Sequence, residues 1–188
     1  MKKRSFFLIK ILFMSIALIS LDISIKYFTH INISKMGWAN LTYPFGGIGI
    51  FKDFMGISFS LNHVENLGAA WGVFSSYSKI LLYLRSFIVS CLIIYIIFIN
   101  NDTKRFYPLL FVVIGASGNI LDLIIYGHVI DMFHFNFWGY SFPVFNIADC
   151  LISLGIVLLI FQSFFSKNQS KSNIRKVSAN DKIKKMLN

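Results

Sequence analysis

Charge is scarce in this chain: 14% of its 188 residues are charged and only 8 are acidic, against 56% hydrophobic residues and 21 phenylalanines. So apolar a balance leaves too few polar side chains to cover a soluble domain of this size, and it points to an integral membrane protein. Cysteine is scarce too. Cys91 and Cys150 both lie inside apolar runs, which excludes a disulfide framework and any metal-ligand spacing of cysteines. Both read as small core residues, and a nucleophile reading stays open for Cys150 because it adjoins Asp149. No internal repeat or low-complexity array is visible.

What the chain does have is four apolar stretches of about 20 residues, at about 6–27, 79–99, 106–126 and 144–165, each long enough to cross a hydrocarbon core. Basic residues flank them on one side. Lys2, Lys3 and Arg4 precede the first span, Lys104 and Arg105 join the second to the third, and a basic tail, 166–188, follows the fourth. By the positive-inside rule these segments, and both termini, are expected in the cytoplasm. The net charge of +10 then reflects anionic lipid headgroups rather than nucleic acid. The opening Lys2-Lys3-Arg4 resembles a signal-peptide start, but Asp22 and Lys26 follow the run and no clear Ala-x-Ala site appears, so an uncleaved first span is expected.

The two other connections, about 28–78 and 127–143, carry few charges and many aromatics, including Trp38, Trp71, Tyr77, Trp138 and Tyr140, which suit a membrane interface. Within 28–78, β-favouring residues around Ile48, Ile50 and Phe51 and then Ile57 to Leu61 predict a small outer sheet ending near Val64.

The polar exceptions hold the chemistry. Asp22, Asp122, Asp131 and Asp149 lie inside or at the edge of long apolar runs, where an ionised carboxylate is costly and usually functional. Small residues from Gly115 to Gly118 permit close helix approach, while Asn119 and Asp122 demand polar partners. The three-residue spacing of Asn146 and Asp149 places them on one helix face. The short link 127–143 makes spans three and four antiparallel neighbours, with Asp131 at the outer end of one and Asp149 roughly 9 Å down the other. Two close carboxylates in a low-dielectric site share one proton, the arrangement an aspartic protease needs, with no metal, covalent nucleophile or cofactor required. Three other readings stay open on residues alone: structural pairing of the carboxylates with Lys26 or Arg85, proton relay in a small transporter, and a non-catalytic membrane assembly factor. His63, His128 and His134 sit near the site, but no carboxylate-histidine-nucleophile order is evident.

Five motifs recur together: Asp22-Ile23-Ser24-Ile25-Lys26, Asn66-Leu67-Gly68-Ala69-Ala70-Trp71, Gly118-Asn119-Ile120-Leu121-Asp122, Gly127-His128-Val129-Ile130-Asp131 and Phe145-Asn146-Ile147-Ala148-Asp149. In this order the chain resembles the lipoprotein signal peptidases, or type II signal peptidases, over about residues 6–165. The resemblance implies a bacterial inner-membrane aspartic endopeptidase, probed by cyclic peptides such as globomycin, that removes the signal peptide from a diacylglyceryl-modified prolipoprotein just before the lipidated cysteine. By motif match Asp131 and Asp149 are the catalytic dyad. Asn66, Asn119, Asn146 and Gly68 bind or orient substrate, and Asp22, Lys26 and Asp122 are structural or supporting residues. No cofactor and no metal are implied, and a monomer is expected. An aromatic loop around Trp71, Phe74 and Tyr77 would help clamp the substrate. The expected fold is an all-α membrane protein of four transmembrane helices, with a small extracytoplasmic β-cradle between helices one and two, forming one domain, 1–165. One departure stands out: the family continues its Gly-Asn-x-x-Asp motif with arginine, where this chain has Leu123, and Arg85 is a candidate replacement. The Gly-x-Gly-Asp motif of presenilin-like and prepilin-processing aspartic proteases is absent from the sequence.

Overall fold

Four apolar helices dominate the computed structural model, which describes residues 2–37, 42–67, 78–100 and 102–165. Helix α1 is Lys2–Asn32, α2 is Ser78–Ile94, α3 is Thr103–Ile125 and α4 is Ile147–Phe165. All four are long and apolar enough to cross a membrane. At 31 residues α1 runs roughly 46 Å, longer than a hydrocarbon core of about 30 Å. Helix α2 widens into a π-helical turn, Tyr95–Ile99, closed by Asn100 N donating to Tyr95 O at 2.8 Å. Asp102 then caps α3 by accepting from Lys104 N at 2.9 Å.

Helix α3 is the most buried of the four and organises the bundle. Its glycines set the spacing. A Cβ on Gly115 would collide with the Ala148 carbonyl of α4, and one on Gly118 would lie 2.9 Å from Asp22 Oδ2 of α1. Further along, Gly155 of α4 rests on Pro108 and Val112, and Gln162 donates to Lys104 O, so α3 and α4 run antiparallel along their whole length. By contrast, Asp22 and Lys26 of α1 meet Gly118 and Asp122 in the same order, which makes α1 and α3 parallel there. The other faces of the helices carry exposed apolar side chains such as Phe13, Tyr83, Phe98 and Phe164, the surface that lipid covers. Cys91 and Cys150 are exposed on α2 and α4 rather than packed in the core, a correction to the sequence expectation.

At one end of the bundle stands a four-stranded antiparallel sheet ordered β1-β2-β3-β4, so the expected all-α class is not exact. Strands β1 (Ile48–Phe54) and β2 (Ile57–Asn66) come from the α1–α2 connection, as expected of a sheet between helices one and two. Strands β3 (Val129–Phe137) and β4 (Tyr140–Ser141) come from the α3–α4 connection, which the sequence reading treated as a plain link. Both hairpins turn through two residues in the left-handed region, Met55-Gly56 and Trp138-Gly139, the geometry that matches strand twist and that glycine adopts without penalty. Alternation along β3 buries Ile130, Met132 and His134 on one face. The other face presents Asp131, Phe133, Phe135 and Phe137. Phe135 stacks on Phe59 of β2 with centroids 4.4 Å apart, and a bulge in β2 between Leu61 and Val64 adjusts the register before Val64 meets Asp131.

Candidate active site

Asp131 sits in the middle of a strand, not at a helix end as its place in the sequence suggested. Opposite it on β2 is Val64, and two residues on, Asn66 donates from Nδ2 to Asp131 Oδ2 at 3.0 Å. Beyond β4 the chain returns along β3, where Phe133 N donates to Phe145 O at 2.8 Å and Phe145 N to Phe133 O at 3.2 Å. This return delivers the next residue, Asn146, to Asp131: its Nδ2 donates to Oδ1 at 2.6 Å and lies 3.3 Å from the Ile130 carbonyl.

Asn146 stands just before the first turn of α4, not within it. Its side-chain oxygen accepts from Asp149 N at 2.9 Å, and its own N–H donates to Asp149 Oδ2 at 3.2 Å. That reciprocal pair is a capping box with asparagine and aspartate in its two positions, and it fixes the Asp149 carboxylate in the first turn, where the helix dipole favours negative charge. Asn146 therefore touches both aspartates at once.

A third element locks the pair from α3. Asn119 donates to Asp149 Oδ1 at 2.8 Å and accepts from Asn146 Nδ2 at 3.1 Å and from Lys26 Nζ at 3.0 Å. Lys26, fully buried, also pairs with Asp22 at 2.7 Å and with Asp122 at 2.8 Å. Backbone N–H groups add to these ion pairs. Asp22 Oδ1 accepts from Ala148 N at 3.0 Å and Asp122 Oδ2 from Ile130 N at 3.2 Å. A buried charge is tolerated only when paired and hydrogen-bonded in this way. Lys26 thus joins α1 to α3, and each of its carboxylate partners holds a backbone N–H beside one of the two aspartates: Ala148 precedes Asp149 and Ile130 precedes Asp131.

Electrostatically, burial pushes the Asp131 carboxyl up to about 7, and the nearby Asp149 charge pushes the same way. The Asn66 and Asn146 hydrogen bonds and the Lys26 charge pull it back only in part. A carboxyl raised to about 7 is roughly half protonated at neutral pH, so it can hold or release a proton there.

The profile of the family Peptidase_A8, described as signal peptidase (SPase) II, matches residues 14–165, most of the chain. The chain belongs to the signal peptidase II family. It is 42% identical over 118 residues to the lipoprotein signal peptidase of Chlamydia pneumoniae, covering 61% of this chain and 69% of that protein. To the lipoprotein signal peptidase of Enterococcus faecalis it is 33% identical over 159 residues, covering 84% of this chain and 89% of the relative. Among solved structures it is similar to a bacterial membrane enzyme determined by the in meso method at 2.3 Å resolution, with a TM-score of 0.67, 21% identity, and coverage of 85% of this chain and 90% of the other. The last likeness establishes the fold: four membrane helices with an appended sheet. The signal peptidase II family and these helices make the chain a multi-pass bacterial membrane protein.

Eight of the residues singled out in the sequence, Asp22, Lys26, Asn66, Asn119, Asp122, Asp131, Asn146 and Asp149, form one continuous network. Leu123, at the position of the family arginine, is buried, and Asp122 takes Lys26 as its partner. Gly68, the loop around Trp71, Phe74 and Tyr77, and the basic tail 166–188 lie outside the described residues. His134 points away from Asp131 on β3 and meets Ser141 Oγ at 2.7 Å, so it stands apart from the two aspartates. The capping role of Asn146 was missed in the sequence, although the Asn-x-x-Asp spacing was its signal.

Proposed function

We propose that this chain is a membrane-embedded aspartic endopeptidase that removes the signal peptide from diacylglyceryl-modified prolipoproteins, cutting on the N-terminal side of the lipidated cysteine. The observation that carries the reading is the joining of Asp131 and Asp149 through a single side chain, Asn146, at the sheet end of four apolar helices. With one proton between them, the ionised carboxylate takes a proton from a water whose oxygen attacks the scissile carbonyl carbon. The protonated partner gives its proton to the carbonyl oxygen. As the tetrahedral intermediate collapses, a hydroxyl proton returns to the partner carboxylate, the C–N bond breaks, and the proton taken from water goes to the leaving amine, which restores the pair to its starting state. The asparagines supply geometry without charge. Asn66 and Asn146 aim Asp131, while Asn119 aims Asp149, and Asn66 on the sheet edge of the site is placed to meet the substrate backbone.

The apolar surfaces suit the lipid. The face of β3 that holds Asp131 continues as Phe133, Phe135 and Phe137, an aromatic path to the two carboxyls. Burying acyl chains contributes about 0.8 kcal/mol per CH₂, so lipidation itself selects substrate. The distribution of Lys and Arg supports cytoplasmic termini with the site near the outer face. A monomer suffices, since one chain supplies both aspartates, and globomycin-like cyclic peptides are expected to compete with substrate at the two aspartates. A proton relay is less well supported, because Asp131 lies on a strand outside the spans rather than at mid-bilayer.

The test is cleavage of a diacylglyceryl-modified prolipoprotein in detergent by wild type, Asp131→Asn and Asp149→Asn, with folding of each checked by thermal melting. Cleavage by wild type alone supports the reading. Cleavage by either variant at near wild-type rate overturns the dyad.

A further inference from the structure

A second polar cluster lies on the other side of the sheet from the aspartates and plays no part in the chemistry above. His30 ends α1, His63 lies on β2, and His128 links α3 to β3. Although 33 or more positions apart in sequence, they converge so that one ring nitrogen from each lies within 4.8 Å of the others. All three are at least partly buried.

What distinguishes the cluster is what its nitrogens lack. His63 Nδ1 lies 3.0 Å from the Ile33 carbonyl, so that nitrogen carries the proton and donates, leaving the lone pair on Nε2. Nε2 of His63, Nδ1 of His30 and Nε2 of His128 are all buried with no hydrogen-bond partner. Buried ring nitrogens without partners are costly, and three of them in one cluster, each able to present a lone pair, would be satisfied together by a shared cation. An imidazole whose other nitrogen donates to a backbone carbonyl is the usual form of a metal-ligating histidine. Glu65, also on β2, brings Oε1 to 3.3 Å from His128 Nε2. Its present partner, Lys35 at 2.7 Å, is well exposed, so the carboxylate is not committed to it. A cleft lined by His30, Ile33, Lys35 and His63 gives access, and Tyr126 packs against the His30 ring at 5.0 Å between centroids.

We propose that His30, His63 and His128, completed by Glu65, form a binding site for one zinc-type divalent cation that ties the end of α1 to β2 and to the α3–β3 link. Three imidazoles and a carboxylate are a tetrahedral zinc donor set, and magnesium or calcium, which take oxygen ligands, fit poorly. Ligand nitrogens around tetrahedral zinc stand roughly 3.3 Å apart, so the rings need close by roughly 1.5 Å at most. The site is independent of the proteolytic reading: it requires neither substrate nor the aspartates.

The test uses the full chain in detergent, free of any affinity tag and stripped with chelator. Cobalt(II) titration should give one equivalent bound, with the intense visible absorption of tetrahedral coordination, and zinc should displace it while raising the melting temperature. His63→Gln and His128→Gln should each abolish the absorption and the thermal shift. Glu65→Gln should weaken affinity on the order of tenfold to a hundredfold. His134→Gln, at a buried histidine outside the cluster, should leave binding unchanged. Apo melting curves establish that each variant is folded, and His30→Gln, which changes the ligand at the end of α1, gives an independent loss of binding if a strand variant fails to fold. Absence of saturable binding in wild type, or equal binding by His63→Gln and His30→Gln, overturns the proposal.

Discussion

The two buried polar clusters of this protein are built from similar materials and differ in how completely they are satisfied. In the aspartate cluster, a lysine, two supporting carboxylates and three asparagines occupy one another's donors and acceptors, and two backbone N–H groups complete the set. In the histidine cluster three buried ring nitrogens have no hydrogen-bond partner, and one of them, His128 Nε2, has the Glu65 carboxylate 3.3 Å away. Both lie against β2 and β3, and both gather side chains from α1, the sheet and the α3–β3 region. The difference teaches where work is done: a satisfied network is a scaffold that holds two carboxyls in place, whereas an unsatisfied one has room for a ligand. Breaking the first should cost fold and activity together, and filling the second should add stability.

The largest effect falls on the two carboxyls. Asp131→Asn and Asp149→Asn keep volume and most hydrogen bonds but remove the group that exchanges a proton, and each should lower the cleavage rate on the order of a thousandfold or more. Single-turnover assays on lipidated precursor measure this. A fall of less than tenfold in either would mean that the satisfied cluster is only structural.

Next comes the scaffold itself. Lys26→Met leaves the Asp22 and Asp122 carboxylates buried without their cation, and breaking a buried pair from one side costs about 3–5 kcal/mol. The variant should melt well below wild type in detergent at neutral pH. If it melts within a few degrees of wild type, Lys26 is not the centre of the network.

How much of this was readable in the chain divides along the same line. The four helices follow from apolar runs of the right length, and the expense of a carboxylate in such runs pointed to all the acidic residues of the first cluster. Strand β3 was not recognised, although Val129, Ile130, Phe133, Phe135 and Phe137 between two glycines carry a strand's composition. It was obscured because the segment continues directly from an apolar helix. Asp131 was consequently placed on a helix end. That Lys26 serves two aspartates on different helices was also out of reach, since sequence spacing reveals only the i,i+4 partner, Asp22. The histidine cluster left no trace at all: residues 30, 63 and 128 have no common spacing, and only the fold brings them together.

A smaller effect follows from pH. The Asp131 carboxyl is raised to about 7 in the folded protein from an ordinary value of 3.8. Between these values the folded state binds more proton than the unfolded one, so this group's stabilisation is full below about pH 4 and is lost as pH rises through about 7, at most a few kcal/mol. Melting temperature should fall across that window in wild type, and this component of the slope should vanish in Asp131→Asn. Cleavage should show a limb near neutrality for the same group. A wild-type slope that persists unchanged in the variant would assign the titration elsewhere.

The smallest change is at Lys35, and it sharpens the contrast most. Its ion pair with Glu65 is exposed on the lysine side, so Lys35→Ala should shift apo stability by no more than about 0.5 kcal/mol. Yet the Lys35 hydrogen bond is the leading reason the Glu65 carboxyl sits below its usual range, and the same ammonium competes with any cation for that oxygen. Removing it should therefore leave the apo melting curve in place while tightening zinc binding severalfold. A near-silent substitution with a metal-dependent gain is what an unfilled cluster predicts and a merely structural one does not, because a structural cluster has no second ligand for Glu65 to turn to. Loss of zinc affinity in Lys35→Ala would instead make the lysine part of the site's architecture and exclude Glu65 as the group that completes it.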